Sequence, residues 1–149
     1  MPLDPAFTGR SYPPSQPYDV SREKIREFAD AIGATSPAYR DADAAKALGH
    51  SDIIAPPTFA IVVSMKTNET VMFDPELKLD YSRVVHGDQS FVHHRPITAG
   101  DQLVSVAHID AITSRMGNDM VTVRTEISTV DGELVTTAKS MLVVRGEDA

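Results

Sequence analysis

From Pro56-Pro57-Thr58 through Phe59, Ile61, Val62, Val63 and Met65 toward Asn68, the sequence spells a helix that is apolar on most of its faces. Proline is tolerated in that first turn, whose amides have no intrahelical partner in any case. A helix without a polar face must be wrapped, and in a chain of 149 residues the simplest wrapping is a curved sheet. The second half of the chain supplies one. Val121, Val123, Thr125, Ile127 and Thr129 alternate with Thr122, Arg124, Glu126 and Ser128, which predicts a strand with one buried face. Asp131-Gly132 predicts a two-residue hairpin into Glu133 to Arg145, with Ala138, Ser140, Leu142 and Val144 on one side. Gly117-Asn118 joins the first of these strands to another from Asp101 through Ile112. Arg83 to His94 makes a further strand, closed by Pro96 and the turn Ala99-Gly100-Asp101.

The first half reads differently. Five of the ten prolines lie at or before Pro17, so residues 1–17 form an extended lead-in, with Pro13, Pro14 and Pro17 each lacking a helical donor. A helix follows, capped by Asp19 or Ser21. Its stripe of Ile25, Phe28, Ala29 and Ile32 ends at Gly33 and faces the core. A second, Ala-rich helix is expected from Asp41 to Leu48, with Gly49 as the residue that accepts a left-handed backbone. Helices followed by a long antiparallel sheet make an α+β domain over residues 18–149, and the periodicity alone stops there.

Composition narrows the function. The net charge of −7 leaves no Lys/Arg cluster for a phosphate backbone, so nucleic acid is not expected as a partner. The absence of Cys removes thiolate nucleophiles, Cys-ligated zinc and disulfides. The opening residues lack the basic and apolar regions of a signal peptide, and the apolar run Phe59 to Val63 is too short to cross a bilayer; a cytoplasmic protein without membrane contact is expected.

Two motifs go further. The segment Phe28-Ala29-x-Ala31-x-Gly33-Ala34-Thr35-Ser36-Pro37-Ala38-Tyr39, followed by Gly49 and Ile53-Ile54-Ala55-Pro56-Pro57-Thr58-Phe59, resembles the hydratase signature of MaoC-like (3R)-hydroxyacyl dehydratases. Phe91-x-His93-x-Arg95-Pro96-x-x-x-Gly100-Asp101 resembles that family's strand and turn. The resemblance runs from Tyr18 to Arg145 and implies the hot-dog fold, a long curved antiparallel sheet around one central helix. It also implies an acyl thioester of CoA or acyl carrier protein as ligand, a role in fatty-acid synthesis, and no cofactor or metal.

Active members of that family read G-D-x-N-P-x-H, where Asp and His handle the proton alpha to the thioester and the water at the beta carbon. Here Gly33 and Pro37 match, but Ala34 stands at the Asp position, Ser36 at the Asn and Tyr39 at the His. Neither Ala nor an ordinary Tyr takes a proton near pH 7. The family's oxyanion hole is a helix N-terminus whose amides face the thioester carbonyl, donors worth roughly 3–4 kcal/mol in comparable enzymes. Pro57 stands where a Gly is usual and has no amide, although Thr58 keeps its own.

These departures resemble the non-catalytic subunit of Had-type heterodimeric dehydratases, which shapes the acyl channel while a MaoC-like partner supplies Asp and His. The expected substrate-binding residues are Tyr39, Ile54, Pro57, Thr58 and Phe59. A homodimeric thioester-binding module without chemistry is one alternative. An independent hydratase with relocated acid and base is another, its candidates being His86, Asp88 and His94. Period-two geometry puts those three on one face and His93 on the other, with no recognised metal-ligand spacing among them. Plain structural or interface roles for these histidines, a plug role for Tyr39 and a core role for Phe59, Ile61, Val62 and Met65 are the competing readings. Asp101 is expected to fix a turn, and Arg95 either to meet a phosphate or carboxylate or to be solvated.

Overall fold

The computed structural model describes residues 2–147. Four long strands build the sheet: β2 (Val84–His93), β3 (Gln102–Arg115), β4 (Asn118–Thr129) and β5 (Leu134–Val144). They follow the short β1 (Tyr18–Asp19) and the helices α1 (Arg22–Ala31), α2 (Ala42–Ala47) and α3 (Ala60–Met72). The sheet is antiparallel throughout, in the order β1-β3-β4-β5-β2, and curls around α3. This is the α+β hot-dog arrangement.

Local chemistry sets the helix ends. The Ser21 hydroxyl accepts the Lys24 amide to start α1. Asp41 accepts the amides of Asp43 and Ala44 to start α2. Gly49, at φ +94°, carries the chain out of α2 as a C-terminal glycine should. The stripe of α1 buries Ile25 and Ala29 completely, but Ile32 falls at the C-cap and stays half exposed.

α3 departs from expectation in length and in sidedness. It runs past Asn68 to Met72, and the side it turns to the sheet includes Ser64, Thr67 and Asn68, all buried. Ile61 and Val62 are only partly buried, and Met65 is 55% exposed. The polar residues are admitted because the sheet answers them. The Asn68 amide donates to Ser140 Oγ at 3.1 Å and its carbonyl accepts from Thr125 at 3.3 Å, while Thr67 meets Ser105. The apolar core lies on either side of this polar band, one cluster around Phe59, Ile25, Leu103 and Val135, the other around Val71, Ile109, Val121 and Leu142.

Three turns and edges also differ from the sequence reading. The β3–β4 loop is Met116-Gly117, both at positive φ, one residue earlier than Gly117-Asn118. The β4–β5 connection spans residues 130–133, with Gly132 at φ +98° and its amide donating to the Thr129 carbonyl at 2.9 Å, so it has four residues rather than two, and the register of the pair shifts farther in, between Ile127 and Ser128. The lead-in runs along β3, with the amides of Gly9, Tyr12 and Ser15 donating to Ile109, Ala107 and Ser105 at 2.8–2.9 Å. It thereby covers one edge of the sheet. The other edge, β2, pairs only with β5 among the described residues. No helix among the described residues is long and apolar enough to cross a membrane.

Candidate functional site

The turn Gly33 to Tyr39 is held from three directions. Gly33 sits at φ +69°, the Ala34 amide returns to the carbonyl of Ala29 at 2.8 Å, and Arg40 binds the Ala34 carbonyl at 2.6 Å while pairing with Asp30. Ser36 caps the short helical turn Pro37–Tyr39 that aims Tyr39 inward. The Ile54 amide then donates to Ala38 O at 3.0 Å and that of Ala55 to Ile97 O at 2.7 Å. These bonds bring the turn, the start of α3 and the segment after β2 together around a cavity of about 260 Å³, with Tyr39, Ile54, Pro57, His93, His94 and Arg95 on its walls.

Three of the expected binding residues, Tyr39, Ile54 and Pro57, therefore share one cavity with His94. Thr58 is exposed outside its lining. Phe59 is fully buried, edge-on to Phe28 with centroids 5.4 Å apart, which is a core position. At the dyad positions of the signature stand the methyl of Ala34 and the phenol of Tyr39, in place of a carboxylate and an imidazole.

The alternation expected along β2 is overturned. A bulge at Gly87 shifts the register, so that His86 opposes Leu142 and Asp88 opposes Met141. His86, Gln89, Phe91 and His93 now oppose Leu142, Ser140, Ala138 and Thr136, the buried side of β5, whereas Asp88 is left on the other face. The glycine within a strand pattern is the signal that sequence reasoning passed over. His86 lies far from Tyr39, in a second groove of about 240 Å³ with Ile61, Met65, Met72, Tyr81 and Leu142. A hydrogen-bond chain crosses its floor: Asn68 to Ser140, Ser140 to Gln89 Oε1 at 2.5 Å, and His86 Nε2–H to the same oxygen at 3.2 Å. Asp88 bonds to no histidine, and no three His, Asp or Glu side chains gather to hold a metal among the described residues.

Arg95 is committed within the chain. It grips Asp101 with both terminal nitrogens at 2.9 and 3.0 Å and reaches Glu133 with Nε at 2.7 Å. The Asp101 bond, with Glu133 assisting against desolvation, raises the guanidinium pKa further above its ordinary value. Asp101 also accepts the Thr98 amide at 2.9 Å, so it does fix the turn. The phosphate reading of Arg95 loses its free donors to these carboxylates and to the Pro96 carbonyl.

Residues 6–138 match the family described as FAS1-like, dehydratase domain region. The chain belongs to the FAS1-like dehydratase family. Within reach of this FAS1-like chain is a UPF0336 protein of Saccharopolyspora erythraea, 62% identical over 146 residues, covering 98% of this chain and 94% of the relative. Among solved structures it is similar to the C-terminally truncated HadBC (3R-hydroxyacyl-ACP dehydratase) complex of Mycobacterium tuberculosis, at 32% identity and TM-score 0.82, over 92% of this chain and 96% of that one. It is also similar to a MaoC-like dehydratase at 35% identity and TM-score 0.87, matching 96% of this chain but only 43% of that one. These relatives support a hydratase or dehydratase role for the FAS1-like domain.

Proposed function

We propose that this chain is the subunit of a (3R)-hydroxyacyl-thioester dehydratase, or enoyl hydratase, that shapes the acyl channel while a MaoC-like partner supplies the Asp and His. The observation that carries this reading is Ala34 and Tyr39 at the dyad positions of the signature, with Tyr39 on the cavity wall beside Ile54 and Pro57. Two features of the fold agree with a partner. The β2 edge is open, and the outward side of α3 is apolar at Ile61 and Met65, surface that a water-facing helix would not carry. The thioester end of the ligand lies at Tyr39, Ile54 and Pro57, and its chain extends toward Ile61, Met65 and Met72. The CoA or acyl-carrier-protein thioesters of fatty-acid synthesis are the ligand class.

The test is hydration and dehydration of (3R)-hydroxyacyl and enoyl thioesters by the purified chain, by a MaoC-like chain that keeps G-D-x-N-P-x-H, and by the two together. The reading expects no turnover from this chain alone and a rate for the mixture above that of the partner alone. Turnover by this chain alone, lost on changing His86 or His94, overturns it in favour of relocated chemistry. Thioester binding without turnover in any mixture overturns it in favour of a homodimeric binding module.

A further inference from the structure

His93 was set aside by period-two reasoning and is placed in the cavity by the Gly87 bulge. Its ring stacks on Phe91 with centroids 5.8 Å apart and planes 22° from parallel. Its Nδ1 lies 2.9 Å from Thr136 Oγ1. That single contact decides which nitrogen carries the proton. Thr136 is wholly buried, and its hydroxyl has no other hydrogen-bond partner among the described residues. Were Nδ1–H to donate, the Thr136 proton would be buried without an acceptor, a costly state. With Thr136 donating to Nδ1, both atoms of this contact are satisfied. The neutral imidazole then carries its proton on Nε2, which has no partner among the described residues and belongs to a side chain on the cavity wall.

Two other residues of the lining lack a donor. Pro56 and Pro57, where the chain enters α3, line the same cavity and carry no amide hydrogen. We propose that His93 donates its Nε2–H to the carbonyl oxygen of the bound thioester, standing in for the amide that Pro57 cannot offer, with Tyr39 closing the far side. This role rests on the acyl-thioester reading above. It is a binding role, set by Thr136 and Phe91, and requires no proton transfer by His93.

Two measurements on the full chain test it. Long-range ¹H–¹⁵N spectra of labelled protein above the imidazole titration range should show His93 as the Nε2–H tautomer, and Thr136→Val should release it to a mixture. Calorimetry then compares a saturated acyl-CoA with its thioether analogue, in which a methylene replaces the carbonyl. Wild type should favour the thioester by about tenfold, the size of one well-made hydrogen bond. His93→Phe should abolish the preference, and His93→Gln, which keeps a donor, should restore part of it. An Nδ1–H tautomer in the wild type, or equal binding of the two ligands, overturns the donor role while leaving the thioester reading in place. Failure of either ligand to bind a folded, Nε2–H protein overturns both.

Discussion

Asp74 gathers more donors than any other carboxylate at the end of α3. Its Oδ2 accepts the Tyr12 hydroxyl and Arg10 Nη1, each at 2.7 Å, and its Oδ1 accepts the Glu76 amide at 2.9 Å. Burial by itself pushes this carboxyl up, but the bonds from Tyr12, Glu76 and Arg10 outweigh it and hold the pKa below the usual carboxylate value. The partner groups respond in kind: desolvation, with Asp74 adding to it, pushes the Tyr12 phenol up. Because the folded pKa of Asp74 is depressed, its contribution to stability is complete above the ordinary carboxylate pKa of about 3.9 and is lost as pH falls through the lower, folded value. Asp74→Asn should therefore melt below wild type by a constant margin from pH 7 to pH 5, and the two curves should converge in more acid solution. Thermal unfolding followed by circular dichroism across that range reads the margin; a gap that persists at the lowest pH would refute the assignment. The bonds also tie the lead-in to the loop after α3, a long-range role that the local sequence around Tyr12 does not announce.

At the scale of elements, β2 is the strand whose behaviour depends most on one residue. A side chain built on Gly87 would stand 3.0 Å from Met141 Cε and 3.0 Å from Val143 Cγ2, so the bulge is packed against β5 and has no room for a branch. Gly87→Val is expected to cost about 1–3 kcal/mol in denaturant unfolding, the usual penalty for overfilling a packed site. It should also disturb the His86–Gln89–Ser140 chain, since the bulge is what puts His86 on the same side of β2 as Gln89. The stripe of α1, the cap and C′ glycine of α2 and the alternation in β4 were all legible in the sequence, because each is a pattern between near neighbours. The bulge was not. Its effect is a register shift against β5, and parity counted along one strand cannot detect an extra residue whose partner is fifty positions away.

For the whole molecule, the arrangement of polarity on α3 is the most informative result. Ser64, Thr67 and Asn68 turn inward, Thr67 and Asn68 finding hydroxyl partners on the sheet and Ser64 the Ile61 carbonyl of its own helix, while Met65 faces out beside Ile61 and Met72 over a groove. The same helix looks uniformly apolar near its start and was expected to be wrapped on all sides. The sheet wraps one side and the lead-in lines the β3 edge, which leaves β2 as the edge without a second strand among the described residues, beside the groove at Ile61 and Met65. Met65→Glu, at an exposed site, should leave monomer stability within about 0.5 kcal/mol of wild type. It should weaken association with the proposed MaoC-like partner, as read by sedimentation of the mixture. Unchanged association would remove this face from the proposed interface.

Periodicity, turn residues and the degenerate signature were enough to establish the order of elements, the hot-dog class and the presence of Ala34 and Tyr39 where the signature has Asp and His, since each is written in adjacent or regularly spaced residues. Which residues share the cavity, His93 joining His94 on its wall, and which side of α3 stays uncovered were settled only by the folded chain. Those outcomes depend on the pairing of β2 with β5 and on hydroxyls that meet Asn68 and Thr67 from distant strands, where one additional residue or one satisfied hydrogen bond reverses the direction a side chain takes.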